Sequence, residues 1–326
     1  MAFPRFQRYM SKPVMASIPI AFGTYRGVSP RRLLYCIAVI RLGLIVSDVY
    51  MPGNVSHSVL ILSVCLIVNM ICPACFSLCS LVVPIGMALH ALFIHENGGI
   101  SFWQLFFLLP ITLILIGIPM SICLHRYFSH QAFATSRAMQ TALAVVSTLA
   151  FQGGPLWWAV LHTRHHKNCD QKDDPHSILQ DGFWYSFLGW TMNPLNYQID
   201  VTTLSSAVCS PETRFVQKFH VVFPTLLCLL VHHNVGYTSM LWSVLMPMLL
   251  CRLITYLFNL EFHPTNADGK LCKSIDDARI LARIVGESCH DDHHKHPRRC
   301  RRPDWDLAYC ATISWMQALG LVWDCR

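Results

Sequence analysis

Charge is what this chain has least of. Charged residues make up 13% of the 326 and hydrophobic ones 53%, with a mean hydropathy of +0.41. A soluble domain carries roughly 25% charged residues, so composition excludes an ordinary soluble protein and points to a chain embedded in a bilayer. Acidic residues are missing altogether before Asp48, whereas Arg5, Arg8, Lys12, Arg26, Arg31, Arg32 and Arg41 precede it. No early apolar run resembles a secretory signal. The cytosolic basic arm of an endoplasmic reticulum membrane protein is the plainer reading of this start, and an organelle transit peptide is the alternative. Repeats, low-complexity tracts and flexible linkers are lacking too, so nothing marks a second soluble domain. The fifteen cysteines are odd in number, and many sit in apolar runs, as do Cys65, Cys72, Cys228 and Cys251. They read as small buried hydrophobes in a reducing compartment. Cys72 and Cys75 form a CxxC without a second pair, a weak zinc signal.

What the chain does have is long apolar stretches, at 58–94, 101–124, 219–233 and 238–262. A span needs roughly 20 apolar residues. The first stretch, interrupted by Pro73 and Pro84, is too long for one helix and short for two, so the span count there stays open. A segment from Leu33 is apolar but carries Arg41, and reads as an interfacial helix or an additional span. We therefore expect a basic arm over 1–56 and a membrane domain over 57–326, with polar segments at 125–218 and 263–326 on one face of the membrane. The net charge of +7 is concentrated in KHPRRCRR, residues 295–302. That run should face the cytoplasm and its anionic lipid surface. The expected partner is the lipid bilayer, and no nucleic acid.

The polar segments hold the informative histidines. HRYFSH supplies His125 and His130, HTRHH supplies His162, His165 and His166, and HDDHH supplies His290, His293 and His294. Successive helical residues turn by about 100°. The histidines of each HxxHH box then share one broad face, while the adjacent pair points in directions too different for one ion. His125 and His130, five apart, diverge by about 140° on a straight α-helix. This geometry favours two adjacent ions over one. Eight histidines exceed the four ligands of a structural zinc and the three of a catalytic one. Imidazole suits iron, copper and zinc, whereas soluble di-iron bundles rely on carboxylates. A solvated basic helix face is the bland alternative for one box, and repetition of the pattern argues against it.

These three boxes, in order and separated by spans, resemble the membrane fatty-acid desaturases, most closely the acyl-CoA Δ9 (stearoyl-CoA) type. The flanking text agrees: TLAFQGGPLWWAVLHTRHH, DDPHS followed by GFWYSFLGW, and ALGLVWD. The resemblance implies an all-α polytopic membrane protein whose cytosolic helical cap holds a histidine-rich di-iron centre. It adds His263 as a ninth ligand in NLEFH, with Asn259 reaching a metal through water. It places Gln152, Trp158 and Thr255 along a kinked acyl chain, His176 behind the ligands and Asp174 as an orienter. It further implies two Fe ions, O2 as co-substrate, a saturated fatty acyl substrate, expected as acyl-CoA desaturated at Δ9 with an acyl-lipid as the alternative, and electrons from a separate cytochrome b5 and its reductase, since no HPGG-bearing domain is fused to the chain. The endoplasmic reticulum membrane is the expected location, with a plastid or other organelle as the alternative. Two departures stand out. The Arg-Asp pair that helps animal acyl-CoA enzymes hold CoA is here Val160 and Leu161, which keeps an acyl-lipid substrate open. Glu261 puts a carboxylate beside His263, as a surface or supporting charge. The expected reaction is cis desaturation, because zinc has no redox chemistry with which to attack an unactivated C–H bond. The alternatives are a di-iron hydroxylase of the same superfamily and, outside enzymes, a metal-binding membrane transporter.

Overall fold

A computed structural model of the chain describes residues 73–93, 99–265 and 271–326. The arm and interfacial segment expected over 1–56, the first part of the stretch at 58–94, and Cys72 lie outside the described residues. The rest is mostly helical. The principal helices are α1 (Pro73–Phe93), α2 (Phe102–Ser129), α3 (Arg137–Ser147), α4 (Pro155–Asn168), α5 (Pro211–Lys218), α6 (Val222–Val235), α7 (Tyr237–Phe262), α8 (Ile280–Val285) and α9 (His290–Lys295). A short antiparallel pair joins β1 (Ala134–Thr135) to β2 (Val322–Trp323).

Among the described residues, α2 and α7 are each long and apolar enough to cross a membrane, at 28 and 26 residues. At 1.5 Å per residue they reach about 40 Å, more than the roughly 30 Å hydrocarbon core. Two bent pairs raise the count to four if each is one span: α3 with its short continuation against α4, at 76°, and α5 against α6, at 63°. The stretch at 219–233 therefore needs qualification. The helix there, α6, has 14 residues, about 21 Å, too short to cross as a straight rod.

Local sequence explains the two features that matter most. Helix α2 opens on a capping box: Ser101 Oγ accepts from the Gln104 amide at 3.2 Å, and Gln104 Oε1 accepts from the Ser101 amide at 2.9 Å. Its first turns expose Phe102, Trp103, Phe106 and Phe107, the aromatic composition of a membrane interface. Pro110 and Pro119 lie inside this helix, where each removes a ladder donor. From Ile116 to Ser129 the winding loosens to a π-helix, a form that recurs at functional sites. The second feature is the sharp corner between α3 and α4, FQGGP. Phe151 takes φ 59° and Gly153 φ 90°. Gly154 lies so close to Gln217 that a Cβ there would collide with its amide. That approach lets Gln217 Oε1 accept from the Leu156 and Trp157 amides, both at 2.9 Å, capping α4 where glycine offers no side chain.

The C-terminal segment is tied to α2 by buried charge. Arg126 pairs with Asp306 at 2.8 Å, both almost fully buried, and donates to the carbonyls of Gly286 (2.7 Å) and Cys300 (2.9 Å). Gly286 has φ +77°, and a Cβ there would fall 2.7 Å from Asp306 Oδ1 and nearer still to Arg126. The basic run after α9 also differs from a uniform surface patch. Lys295, Arg298 and Arg301 are exposed, Arg299 pairs with Asp292 at 2.7 Å, and Arg302 turns inward and is buried. Gly286→Ala should therefore cost about 2–4 kcal/mol, from backbone strain plus a broken buried hydrogen bond. A lower melting temperature of the detergent-solubilised chain is the expected readout, and an unchanged one would refute this account.

Candidate metal centre

The nine expected histidines come together from four places: two from the π-helical end of α2, three from α4, one just after α7, and three from α9. They sort into two groups. Ring nitrogens of His125, His130, His162, His166 and His293 all lie within 4.8 Å of one another. The contacts between Nε2 atoms run His293 to His125 at 2.8 Å, His162 to His130 at 2.9 Å, His166 to His162 at 3.0 Å and His293 to His166 at 2.9 Å. His165, His263 and His294 belong to the second group. His290 Nε2 joins them, 3.0 Å from His263 Nε2 and 3.2 Å from His294 Nε2.

The adjacent pairs divide as a 100° turn predicts. His165 and His166 go to different groups, as do His293 and His294. One expectation needs correcting. His125 and His130 do not diverge; both belong to the first group. Five residues span about 140° in an α-helix, but the π-helical winding, with its i→i+5 bonds, brings position five back to the same side.

The donor set fits a metal pair. At a metal–nitrogen distance of about 2.0–2.1 Å, two ligands at right angles are about 3.0 Å apart, and two at a tetrahedral angle about 3.4 Å apart. The contacts of 2.8–3.2 Å match right angles, and five nitrogens in one group exceed a tetrahedral zinc. Behind the rings stand carboxylates, as metal-binding imidazoles usually require. His125 Nδ1 donates to Glu287 at 2.9 Å, His165 Nδ1 to Asp174 at 2.9 Å, and His263 Nδ1 to Asp170 at 3.3 Å. These bonds fix the tautomer that leaves Nε2 free. His293 differs, because the buried Arg302 donates to its Nδ1 at 3.1 Å. Burial, followed by the charges of neighbouring groups, holds His290, His293 and His294 well below the ordinary imidazole range. Burial raises Glu287, but His125, Arg302 and Arg126 outweigh it and bring it to about 2.

The remaining expected residues are placed as follows. Asp174 accepts from the His165 ring and from the backbone amides of His176 and Asp170. His176 is buried, stacks on the His165 ring at 4.5 Å and is held down at about 3, chiefly by burial and by His165. Asn259 is half-buried, one turn before His263. Gln152, Trp158 and Thr255 form one buried chain: Trp158 Nε1 donates to Gln152 Oε1 at 3.2 Å, and Gln152 Nε2 to Thr255 Oγ1 at 3.0 Å. The Trp158 ring also stacks on His162, 4.6 Å between centroids. Glu261 is a surface charge paired with Arg279. Val160 and Leu161 are core residues.

Sequence reasoning missed Glu287, Asp170 and Arg302. Each stands within a few residues of a histidine box, so asking which acceptor backs each ring would have found the two carboxylates. It also missed a disulfide, Cys169–Cys272, which corrects the reading of the cysteines as uniformly unpaired. Both partners lie in the polar segments rather than in an apolar run.

Two outcomes follow. Asp174→Asn and Glu287→Gln should each weaken metal binding about 10–100-fold, Asp174→Asn at the second group and Glu287→Gln at the first, as read by metal content after dialysis against a chelator. Burial keeps the rings of α9 neutral, so they should resist protonation, but at His165 burial is outweighed by Asp174, which raises it above the ordinary imidazole range. Lowering the loading pH from about 8 to about 6 should then remove metal from the second group before the first. A loss that starts at the first group would contradict this order.

Comparison with known proteins agrees with this geometry. The profile of the family described as fatty acid desaturase matches residues 101–318. The chain is 28% identical over 246 residues to the sn-1 stearoyl-lipid 9-desaturase of Anabaena variabilis, covering 73% of this chain and 89% of that protein. It is 28% identical over 230 residues to the chloroplastic palmitoyl-monogalactosyldiacylglycerol delta-7 desaturase of Arabidopsis thaliana, covering 65% of this chain and 58% of that protein. It is also 28% identical over 239 residues to the acyl-CoA C20 Delta5-desaturase of Anemone leveillei, covering 69% and 74%. With a profile match across two thirds of its length and a site of this composition, the chain belongs to the fatty acid desaturase family.

Proposed function

We propose that the protein is a multi-pass membrane oxidoreductase that uses O2 to place a cis double bond in a saturated acyl chain. The observation that carries this is the pair of histidine groups, the first of which lies directly against Trp158 of the Gln152–Thr255–Trp158 chain. In this reading His125, His130, His162, His166 and His293 hold one iron, and His165, His263, His290 and His294 hold the other, with Asn259 reaching it through a water. Bound there, the two irons supply the redox chemistry that zinc lacks.

The protein's own contribution is position. Trp158 packs against the first group and is held by Gln152, which is held in turn by Thr255 on α7. The three form a rigid polar wall that sets a bend in the acyl chain, and the bend selects one methylene pair and cis geometry. The boxes sit at helix ends rather than at mid-span, which supports an enzyme with a cap over a transporter. The cap faces the cytosol or stroma of an endoplasmic reticulum or plastid membrane. A separate donor supplies electrons, cytochrome b5 with its reductase in the endoplasmic reticulum.

The headgroup follows from Val160 and Leu161. Both are buried in the core, at 8% and 3% exposure, so neither offers a polar contact to CoA at that position. An acyl-lipid is accordingly the favoured substrate over acyl-CoA. The Anabaena and Arabidopsis relatives named above as acting on lipid-linked chains support this, with Δ9 the first position to examine.

Expression in a desaturase-deficient yeast, with mass spectrometry of the acyl-CoA and glycerolipid pools, tests both parts. Monounsaturated chains should appear first in glycerolipids, and His166→Ala should return the cells to background. Alkene appearing first as acyl-CoA would overturn the headgroup reading. Alcohol without alkene, or one exchangeable zinc and no iron in the purified protein, would overturn the desaturase reading.

A further inference from the structure

Beside the second histidine group lies a sulfur pair that desaturation does not use. Cys169 closes α4 one turn after His165, and Cys272 stands in the segment between His263 and α8. They are joined by a disulfide that closes 103 residues of chain, with Cα atoms 5.1 Å apart. Cys169 Sγ is 3.6 Å from His263 Nδ1, and Cys272 Sγ is 3.4 Å from His294 Nδ1. Asp170 completes the cluster. Its Oδ2 accepts from the Lys273 amide at 2.8 Å and from His263, and its Oδ1 accepts from Ser177 at 3.1 Å. Both sulfurs therefore lie against rings of the second group. Among the described residues, Cys123, Cys209, Cys228, Cys251, Cys289, Cys300, Cys310 and Cys325 form no disulfide. It is a single covalent link placed at one half of the site.

We propose that Cys169 and Cys272 are a reversible dithiol–disulfide site that sets how firmly His165, His263, His290 and His294 hold their iron. The proposal rests on reading that group as iron ligands. Its chemistry is hydrogen-bond direction. A disulfide sulfur can only accept, so in the oxidised state His294 Nδ1 remains an N–H donor and its Nε2 lone pair stays free for metal, whereas Asp170 holds His263 Nδ1 as a donor in either state. A thiol is also a donor. The Cys272 S–H, 3.4 Å from His294 Nδ1, lets that nitrogen accept, which moves the ring proton toward Nε2 and weakens metal binding at that ring. Opening the bond also frees the segment after His263 from its covalent anchor on α4. Reduction requires a dithiol of the thioredoxin class. One reductant thiol attacks the sulfur of Cys272, the more exposed partner, releasing Cys169; the second then displaces Cys272. Two electrons and two protons pass to the cysteines, and the reductant leaves as its own disulfide.

The test uses the full-length protein purified from membranes with its metal and without added reductant. Differential alkylation reports the state of Cys169 and Cys272, and iron release to a chelator is followed before and after treatment with dithiothreitol. We expect both cysteines to be protected from alkylation until reduction, and reduction to speed the loss of one of the two irons by about ten-fold, the size of other supporting-shell effects, while the other iron stays. Cys169→Ser with Cys272→Ser, whose hydroxyls are permanent donors, should show the fast phase with or without reductant; Cys169→Ala with Cys272→Ala removes both anchor and donors and should show a smaller effect. Retention of the first iron in these variants reports that they are folded. Release that does not depend on reductant in the native protein, or both cysteines found as free thiols beforehand, would overturn the proposal. Fewer than two irons per chain in the oxidised native protein would instead overturn the metal reading on which it rests.

Discussion

Nine imidazole nitrogens gathered from four places cannot satisfy one another. A neutral ring offers one donor and one acceptor, so wherever two Nε2 atoms meet at 2.8–3.2 Å a single proton serves two nitrogens. Five nitrogens in one group leave several lone pairs facing one another in a buried volume. Each unsatisfied buried group costs about 1–3 kcal/mol, and protonating the rings would replace that penalty with charge repulsion. A cation among them removes both. A bound cation would therefore tie folding to metal binding, and the surrounding architecture makes sense as the apparatus that keeps the rings neutral, convergent and unable to relax apart.

That apparatus starts from local chain chemistry. From Ile116 onward, around Pro119, α2 winds as a π-helix, and the looser turn is what lets His125 and His130 serve one group. Glycines at the FQGGP corner let Gln217 cap α4 and aim its three histidines inward, with the adjacent pair split between groups. Arg126, buried with Asp306, holds α2 to the segment that carries Glu287 and α9. A buried ion pair adds little net stability. Its role is register, since it fixes two distant parts of the chain in the one arrangement that joins the boxes.

Much of this was legible in the sequence, for identifiable reasons. The long apolar helices at 101–124 and 238–262 rest on apolar length, the most robust sequence signal. The division of His165 from His166 rests on helical rotation, which holds wherever the helix is α. The same rule failed for His125 and His130 because winding is a tertiary outcome: Pro119 is visible in the sequence, but the π turn it permits is not. Bent pairs such as α5 with α6 were unreadable because hydropathy carries no angle. The carboxylates behind the rings went unnoticed because a single Asp or Glu in a polar segment looks like solvated charge until packing buries it. The disulfide was hidden by number, since fifteen cysteines mask the two that pair.

The supporting charges also make the two halves unequal, although both are built from the same ligand. Behind the first group stand one carboxylate, Glu287, and two buried guanidinium groups: Arg302 on His293 and Arg126 against Gly286. Behind the second stand two carboxylates, Asp174 and Asp170, and no cation in direct contact with a ring among the described residues. Charge–charge interactions act more strongly in a buried site than in water. Two ions of the same element would then experience different fields, with added positive charge tolerated better at the second group. The disulfide and Asp170 also lie on that side. The half of the site that best accommodates a change of charge is thus the half anchored by a bond that reduction can open, whereas the half that packs against Trp158 is anchored by an internal ion pair.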